Sequence, residues 1–534
     1  MPVSLQFGRE ARDMGTWSAL KTLADIPRFH ARVRPDEIAL TCGERNVTYG
    51  QLDRQSSAAA RALLAEKIKP GARVAWLDLN SERTHEMLFA CAKAKAVFCP
   101  VNWRLSPAEM QQVIADADTE LLFVGPRFFD AASTITAPRL RKIIAIDGAR
   151  AGWESYADWR NRHAGDDPKR SSAPNDPAIQ IYTSGATGMP KGVVLSAGAL
   201  LTTGKERDGE MAWNDWSADD VSLLTMPCFH IAGLRWGVMS LLPGAQTVVM
   251  AEFSPDGVLD EIARRHVTRL FLAPTAIRLV LEAAKRRPVD FSSLKIVWYG
   301  ASPMPAPLLS DAMATFGCGF LQTYGMTETG AQATFLPPAD HRGGGERLRS
   351  AGKALPRVRL RIVDPNGKAR PPGQPGEICI KSPSNMLGYW RRDAETCAAL
   401  RGGWMHTGDV GFMDRDGYVY IQDRLKDMIV SGGENVYSVE VENALASHPA
   451  IADAAVIGVP DETWGEAVKA IVVLKPGCAA SAEEIIAHAK AQIAAYKAPK
   501  SVDFVDALPK NSLGKVLKAS LRQEYWSGKD RMVN

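Results

Sequence analysis

Short apolar, strand-like runs alternate with amphipathic, helix-like stretches through the first 150 residues, and this alternation is the strongest constraint on the fold. Residues 72–79 (ARVAWLDL) read as a strand. Residues 82–95 carry apolar positions at helical spacing, and VFCPV (97–101) is a second short apolar run. Ser106-Pro107-Ala108-Glu109 is a capping box with proline at the first helical position. Met110, Val113, Ile114 and Ala117 continue one apolar face behind it. Residues 120–124 and 142–146 are further strand candidates. Strands separated by helices imply an α/β fold with a largely parallel sheet. The polar, proline-rich stretch 165–177 (GDDPKRSSAPNDP) reads as a loop or subdomain boundary, and no repeat is visible.

The pattern changes toward the C-terminus. A charged segment, 414–427 (DRDGYVYIQDRLKD), leads into the glycine-rich 431–435 (SGGEN). Strand candidates follow at 454–459 and 468–474, with a helical pattern at 482–496. This reads as a small α+β lid of about 110 residues, within the usual range for an independent unit. We place the division at 425, giving a large N-terminal domain of layered α/β subdomains (1–425) and a C-terminal lid domain (426–534).

Composition narrows the function class. At 534 residues the chain spans roughly three or more folding units, and 46% hydrophobic with 23% charged residues is ordinary for a globular protein. A net charge of +4 offers no bulk electrostatic case for nucleic acid or an anionic membrane. The 8 cysteines form no CxxC pair, so a reducing, cytoplasmic location is expected. The N-terminus lacks the basic and apolar regions of a signal peptide, and no apolar run reaches the roughly 18 residues of a membrane span. The 9 histidines show no metal-ligand spacing, and His406 reads as structural.

The most informative segment is Tyr182-Thr183-Ser184-Gly185-Ala186-Thr187-Gly188-Met189-Pro190-Lys191-Gly192. Glycines let a backbone approach a phosphate, hydroxyls add donors, and the lysine supplies charge. It is not a Walker A loop, because Pro190 and Gly192 flank Lys191 where that motif needs Gly and Ser/Thr. Taken alone, such a loop is equally well a polar surface turn.

TSGATGMPKG resembles the phosphate loop of the adenylate-forming superfamily, which includes acyl-CoA synthetases, firefly luciferase and peptide-synthetase adenylation domains. Six further segments resemble family motifs in the family's order. They are Met226-Pro227-Cys228-Phe229-His230, Tyr299-Gly300-Ala301-Ser302-Pro303, Tyr324-Gly325-Met326-Thr327-Glu328, Trp404-Met405-His406-Thr407-Gly408-Asp409, Asp423-Arg424-Leu425-Lys426-Asp427 and Pro509-Lys510-Asn511-Ser512-Leu513-Gly514-Lys515. The resemblance covers nearly the whole chain, from Val47-Thr48-Tyr49 onward.

The resemblance implies an ATP-dependent acid–thiol ligase with ATP, Mg²⁺ and CoA, acting on a small carboxylic acid, with no nucleic-acid partner. A homodimer is compatible with the sequence. It implies that Thr183, Ser184, Gly185, Ala186, Thr187, Gly188 and Lys191 hold phosphates. It places Gly300, Ala301, Ser302, Gln322, Thr323, Tyr324, Gly325 and Thr327 around the nucleotide. Asp409 and Arg424 take the ribose, and Glu328, with Thr183, takes the magnesium, a hard cation suited to oxygen ligands. Lys515 bridges the acid's carboxylate and the α-phosphate, where charge must be offset. His230 lies beside the acyl carboxylate, without a proton-transfer role. Lys426 is the hinge, and Ser431, Gly432 and Gly433 meet the pantetheine arm of CoA. Two departures stand out. Ala186 replaces the usual Thr, and Val193-Val194-Leu195-Ser196-Ala197 lacks a histidine common in relatives.

Each motif also has a plainer reading. Lys515 by itself is an exposed turn lysine, Glu328 a first-turn acid favoured by the helix dipole, and Asp409 and Arg424 a surface ion pair. Four functions remain: a fatty-acid CoA ligase, a stand-alone adenylation enzyme loading a carrier protein, a luciferase-like oxygenase, and a non-catalytic AMP-binding protein. The chain stops 19 residues after Lys515, so no fused carrier domain is expected. The segments lining the acyl slot in relatives read Ile231, Ala232, Gly233, Leu234 and Trp236, then Val297, Trp298 and Tyr299. Their apolar character favours a medium-chain fatty acid, with an aryl or phenylpropanoid acid as runner-up.

Overall fold

In the computed structural model, residues 17–183, 190–202, 211, 213–431, 434–510 and 514–526 are described. The alternation read from the first half is present as Arg73–Leu77, Glu82–Ala94, Val97–Pro100, Pro107–Asp116, Leu121–Val124 and Lys142–Ala145. Ser106 closes a reciprocal capping box with Glu109, each side chain meeting the other's backbone N–H. A second box, Thr48 with Gln51, starts the helix Tyr49–Ala65. The helix Glu82–Ala94 stops at Lys95, whose φ of 63° breaks the helical ladder.

The N-terminal part holds two large, mainly parallel sheets. One has eight strands, running Gly388–Tyr389, Lys191–Ser196, Pro177–Thr183, Val97–Pro100, Arg73–Leu77, Leu121–Val124, Lys142–Ala145 and Glu154–Ser155. The other has nine, running Lys353–Ala354, Thr334–Leu336, Gly319–Tyr324, Ile296–Gly300, Arg269–Leu272, Val221–Leu224, Gln246–Val249, Ile38–Cys42 and Arg45–Thr48. Antiparallel pairs occur only toward the edges of both. One large core joins side chains of both sheets to the helices Tyr49–Ala65, Glu82–Ala94 and Ile231–Leu241. The helix beginning at Ile231 is thereby fixed between the sheets.

A wholly antiparallel four-stranded sheet follows, formed by Arg359–Val363, Gly376–Lys381, Met405–Met413 and Val419–Arg424. After Arg424 the chain enters a separate five-stranded sheet. Glu434–Val436, Ile429–Ser431, Gly465–Leu474 and Ile451–Asp461 pair antiparallel in that order, and Ser501–Phe504 joins Gly465–Leu474 in parallel. Its core includes Val441, Val456, Val468, Val472 and Ile485. The helix expected at 482–496 runs Ala482–Gln492 and ends where Ile493 turns extended at φ −133°.

Candidate functional site

The last strand of the four-stranded sheet faces the end of the nine-stranded one. Asp409 and Arg424 are register partners on adjacent strands, with Arg424 Nε 2.7 Å from Asp409 Oδ1. Tyr324, at the end of Gly319–Tyr324, donates its hydroxyl to Asp409 Oδ2 at 2.6 Å. Asp409 is 3% exposed, and its backbone N–H is held by Thr407 Oγ1. Burial, with the Asp409 carboxylate beside it, pushes the Tyr324 phenol well above its ordinary range.

The lysine loop of the small domain reaches this cluster. Gly514, at φ 78°, packs so close to Thr275 that a Cβ there would lie 2.8 Å from its hydroxyl. Lys515 shows surface to solvent, yet the protein crowded about its ammonium and the nearby Arg424 push it down to about 8. Asp409 and Asp427 pull the other way. Lys515, Arg424 and Asp409 therefore belong to one electrostatic neighbourhood assembled from both parts of the chain.

A second group surrounds Glu328. Gly325 makes the fold-back possible, since a Cβ there would lie 2.4 Å from Ala331 O. Glu328 sits in the short turn Thr327–Thr329, 7% exposed, and accepts a hydrogen bond from the Tyr389 hydroxyl at 2.9 Å. Burial raises its carboxyl above the usual range, while Tyr389 and Arg424 oppose the shift. A buried carboxylate held by a neutral donor suits a hard divalent cation, which would restore its charged form. Lys191 Nζ lies 5.2 Å from the Tyr389 ring centroid and is the register partner of Thr183. Thr183, Lys191, Tyr389 and Glu328 thus converge by strand pairing and by contact through Tyr389. Ser184, Gly185, Ala186, Thr187 and Gly188 lie outside the described residues, as do Gly432 and Gly433.

Along the nine-stranded sheet, Gly300 pairs with Thr323, and a Cβ on Gly300 would meet Thr323 O at 2.4 Å. Ala301 follows at φ 69°, an uncommon conformation for a residue with a side chain, and Ser302 is half-buried. Gln322 accepts from Tyr299 at 3.3 Å. Thr323 turns the other way, bonding Thr334 O in a slit among Trp213, Trp298 and Phe335, so its side chain is committed to the interior. Ser431 pairs with Gly465 in the small domain.

His230 stands at the N-cap of Ile231–Leu241. Burial and the nearby Arg104 push its imidazole down to about 3, so it is neutral at physiological pH. Asn80, unremarked in the sequence, fixes this segment by donating to Met226 O at 3.0 Å and accepting from Cys228 N at 2.8 Å. It precedes a helix cap, and nothing local marks it out. The helix that His230 starts carries Trp236 into a cluster of buried indoles. Trp236 lies 5.2 Å from Trp216 and 5.5 Å from Trp298, and Trp298 lies 5.3 Å from Trp213. Tyr299, expected beside Trp298, lies on the opposite face of its strand, bonding His341 Nε2 at 2.9 Å. Arg235, on the same helix, is 1% exposed.

His406 bonds Glu377 through Nδ1 at 2.7 Å and lies beside Cys379. Arg401 approaches the same nitrogen at 3.0 Å, which makes this an ion-pair network rather than a cation pocket. Among the described residues no helix is long and apolar enough to cross a membrane.

The AMP-binding enzyme model matches residues 28–390, and the AMP-binding enzyme C-terminal domain model matches residues 440–515. A fatty acid–[acyl-carrier-protein] ligase, ScoC, of Streptomyces coeruleorubidus is 40% identical over 517 residues, spanning 96% of this chain and 98% of that protein. A feruloyl-CoA synthase of an Amycolatopsis species is 36% identical over 512 residues, 94% of this chain and 99% of that protein. Among solved structures, an anthranilate CoA ligase, AuaEII, in complex with anthranoyl-AMP matches with a TM-score of 0.86 at 28% identity, covering 96% of this chain and 98% of that one.

Proposed function

The chain belongs to the AMP-binding enzyme family, and from that premise we propose that it activates a carboxylic acid with ATP and transfers the acyl group to a thiol. The observation that carries this reading is the lysine loop of the small domain packed on the large one at Gly514 and Thr275, with Lys515 under the charges of the Asp409–Arg424 pair. The acid's carboxylate attacks the α-phosphorus, the bond to pyrophosphate breaks, and an acyl-adenylate forms. A thiol then attacks the acyl carbon, and AMP leaves.

Each step needs charge offset at a defined place. Two anions must approach in the first step, and Lys515 is the ammonium positioned to bridge them. Asp409 accepts from the ribose hydroxyls, with Arg424 and Tyr324 fixing its orientation. Lys191 and Thr183 meet the phosphates at the ends of paired strands. Magnesium, held by Glu328 with Thr183 nearby, would neutralise triphosphate charge. Neutral His230 packs beside the acid's carboxylate without taking its proton. Lys426 serves as the hinge that lets the lid exchange the Lys515 loop for the Ser431 strand between half-reactions.

For the acid, an apolar slot supports a medium-chain fatty acid, and such slots discriminate weakly, by about 1–3 kcal/mol per methylene. The ring of Trp213, Trp216, Trp236 and Trp298 favours the second reading, an aryl or phenylpropanoid acid stacked among indoles. CoA is the proposed thiol, with a free carrier protein as the alternative acceptor. Acid-dependent ATP–pyrophosphate exchange over acetate, butyrate, octanoate, palmitate, benzoate and coumarate tests the adenylation step. A thioester assay with CoA or holo-carrier protein, run without O₂, then tests the acceptor. No exchange with any acid would sink the ligase reading, and exchange confined to coumarate would replace the medium-chain one.

A further inference from the structure

Arg235 carries its charge into the interior with no carboxylate holding it there among the described residues. It is 1% exposed, and burial alone pushes it down to about 9, so it stays a cation at neutral pH. Nη1 donates to Ala199 O at 3.0 Å and to Gly330 O at 2.7 Å, while Nε and Nη2 have no hydrogen-bond partner among the described residues. A buried guanidinium left partly unsatisfied costs stability, and a well-packed apolar side chain of similar volume would serve the core better. Its value lies in what it joins.

The three joined segments each bear a proposed site residue. Arg235 stands one turn past His230 on the helix Ile231–Leu241. Ala199 follows the strand Lys191–Ser196 that starts at the phosphate-side lysine. Gly330 closes the turn Thr327–Thr329, two residues after Glu328. The packing there has no slack, since a Cβ on Gly330 would lie 3.0 Å from Ser384 O and 3.4 Å from Arg235 Nη1. Ser384 Oγ donates to the same Ala199 carbonyl at 2.9 Å, and Met386 N–H donates to Glu328 O at 2.8 Å. One guanidinium nitrogen thus ties the turn that ends the lysine strand to the carboxylate turn.

We infer that Arg235 is a positioning residue that sets the separation between Lys191 and Glu328, so that ammonium and carboxylate meet a triphosphate and its magnesium together. The inference rests on the adenylation reading above. Its test is calorimetric titration of ATP into the full-length wild type, Arg235→Met and Arg235→Lys, with Mg²⁺ and with EDTA. In Arg235→Met the Mg²⁺-dependent gain in ATP affinity should fall roughly ten- to a hundredfold, as for lost outer-shell support of a metal ligand, while affinity in EDTA changes by less than about threefold. Arg235→Lys keeps the charge and one donor and should recover part of the gain. An unchanged gain in a folded Arg235→Met protein overturns the inference, as does an equal loss with and without Mg²⁺, which marks Arg235 as merely structural. If Arg235→Met does not fold, Arg235→Lys decides alone: an intermediate loss of the gain supports the role, and a wild-type gain overturns it. A wild type that binds MgATP but shows no acid-dependent exchange removes the ligase reading, and the calorimetric outcome for Arg235 still stands.

Discussion

Asp409 and Tyr324 meet at 2.6 Å, hydroxyl to carboxylate, on the side of the carboxyl group opposite Arg424. Tyr324→Phe keeps the ring and removes only this donor. An unsatisfied buried acceptor costs about 1–3 kcal/mol, with 1.4 kcal/mol per factor of ten, so KM for ATP should rise about tenfold. Asp409→Asn also removes the counter-charge of Arg424 and should raise it further. Initial rates over an ATP series check both, and a Tyr324→Phe enzyme with wild-type KM removes this hydroxyl from the nucleotide site.

Lys515→Ala should lower acyl-adenylate formation about a hundred- to a thousandfold, as for loss of one donor aimed at developing charge. Thioester formation from supplied acyl-adenylate should suffer far less. Because the ammonium is held down to about 8, it is charged below that pH and loses its charge above it. The kcat/KM of the adenylation step should therefore decline as pH rises through about 8, and Lys515→Arg should flatten that limb. Equal loss of both half-reactions in Lys515→Ala, or an alkaline limb unchanged by Lys515→Arg, contradicts the assigned role.

Local signals in the sequence resolve into the elements they name. Ser106 and Glu109 specify a helix start within four residues, and the 72–146 alternation needs only side-chain periodicity. The family motifs are legible because each is contiguous. Sheet membership is not local. Ile38–Cys42 joins Gln246–Val249 across two hundred residues, a choice made by the shared core rather than by either segment. The indole cluster of Trp213, Trp216, Trp236 and Trp298 is only half legible for the same reason, since two of its four members lie outside the segments read from the motifs. Counting charges along 231–236 also passes over Arg235, whose side chain runs to Ala199 and Gly330. Asn80 and Tyr389 act through bonds to Met226, Cys228 and Glu328, partners that no sequence window contains.

Gly237 is pressed against His85. A Cβ at 237 would lie 2.1 Å from His85 Nε2, inside a fully buried ring. Gly237→Ala should destabilise the fold by about 1–3 kcal/mol through overpacking. His85→Ala leaves a cavity of its own, yet the double variant should be more stable than the sum of the two losses, since each change relieves the other. Urea unfolding of the four proteins measures the coupling, and simple additivity refutes the contact.

Acid should weaken the fold before the carboxylates are fully protonated. Burial pushes both His30 and His85 down to about 4, well below an unfolded histidine near 6.5. Between those values the unfolded chain binds more protons, so stability is fully present above about pH 6.5 and is lost as pH falls toward 4. Each residue contributes on the order of 3 kcal/mol over that window. Melting temperature followed from pH 7 to 4.5 should drop, and His85→Leu should drop less steeply. A parallel pH profile in that variant counts against His85 as a source of the loss.

The division between the two parts of the chain runs through a tight turn. Leu425 N–H donates to Gly408 O at 2.7 Å, and the N–H groups of Asp427 and Met428 both donate to Arg424 O, at 2.9 and 3.0 Å. Asp427 also forms an ion pair with Arg522 at 2.7 Å, tying the turn to the small domain. In this arrangement Lys515 feels the charges of both Asp409 and Arg424, the placement that the proposed adenylation step calls for. On the proposed mechanism, thioester formation has the small domain turn away and bring the Ser431 strand forward, with the change in φ and ψ absorbed by one or two residues. Proline fixes φ near −65°. Lys426→Pro should therefore spare acid-dependent pyrophosphate exchange and suppress thioester formation, whereas Lys426→Ala, which leaves φ free, should retain both. Measuring the two half-reactions separately in each variant decides the matter, and normal overall turnover in Lys426→Pro moves the hinge elsewhere.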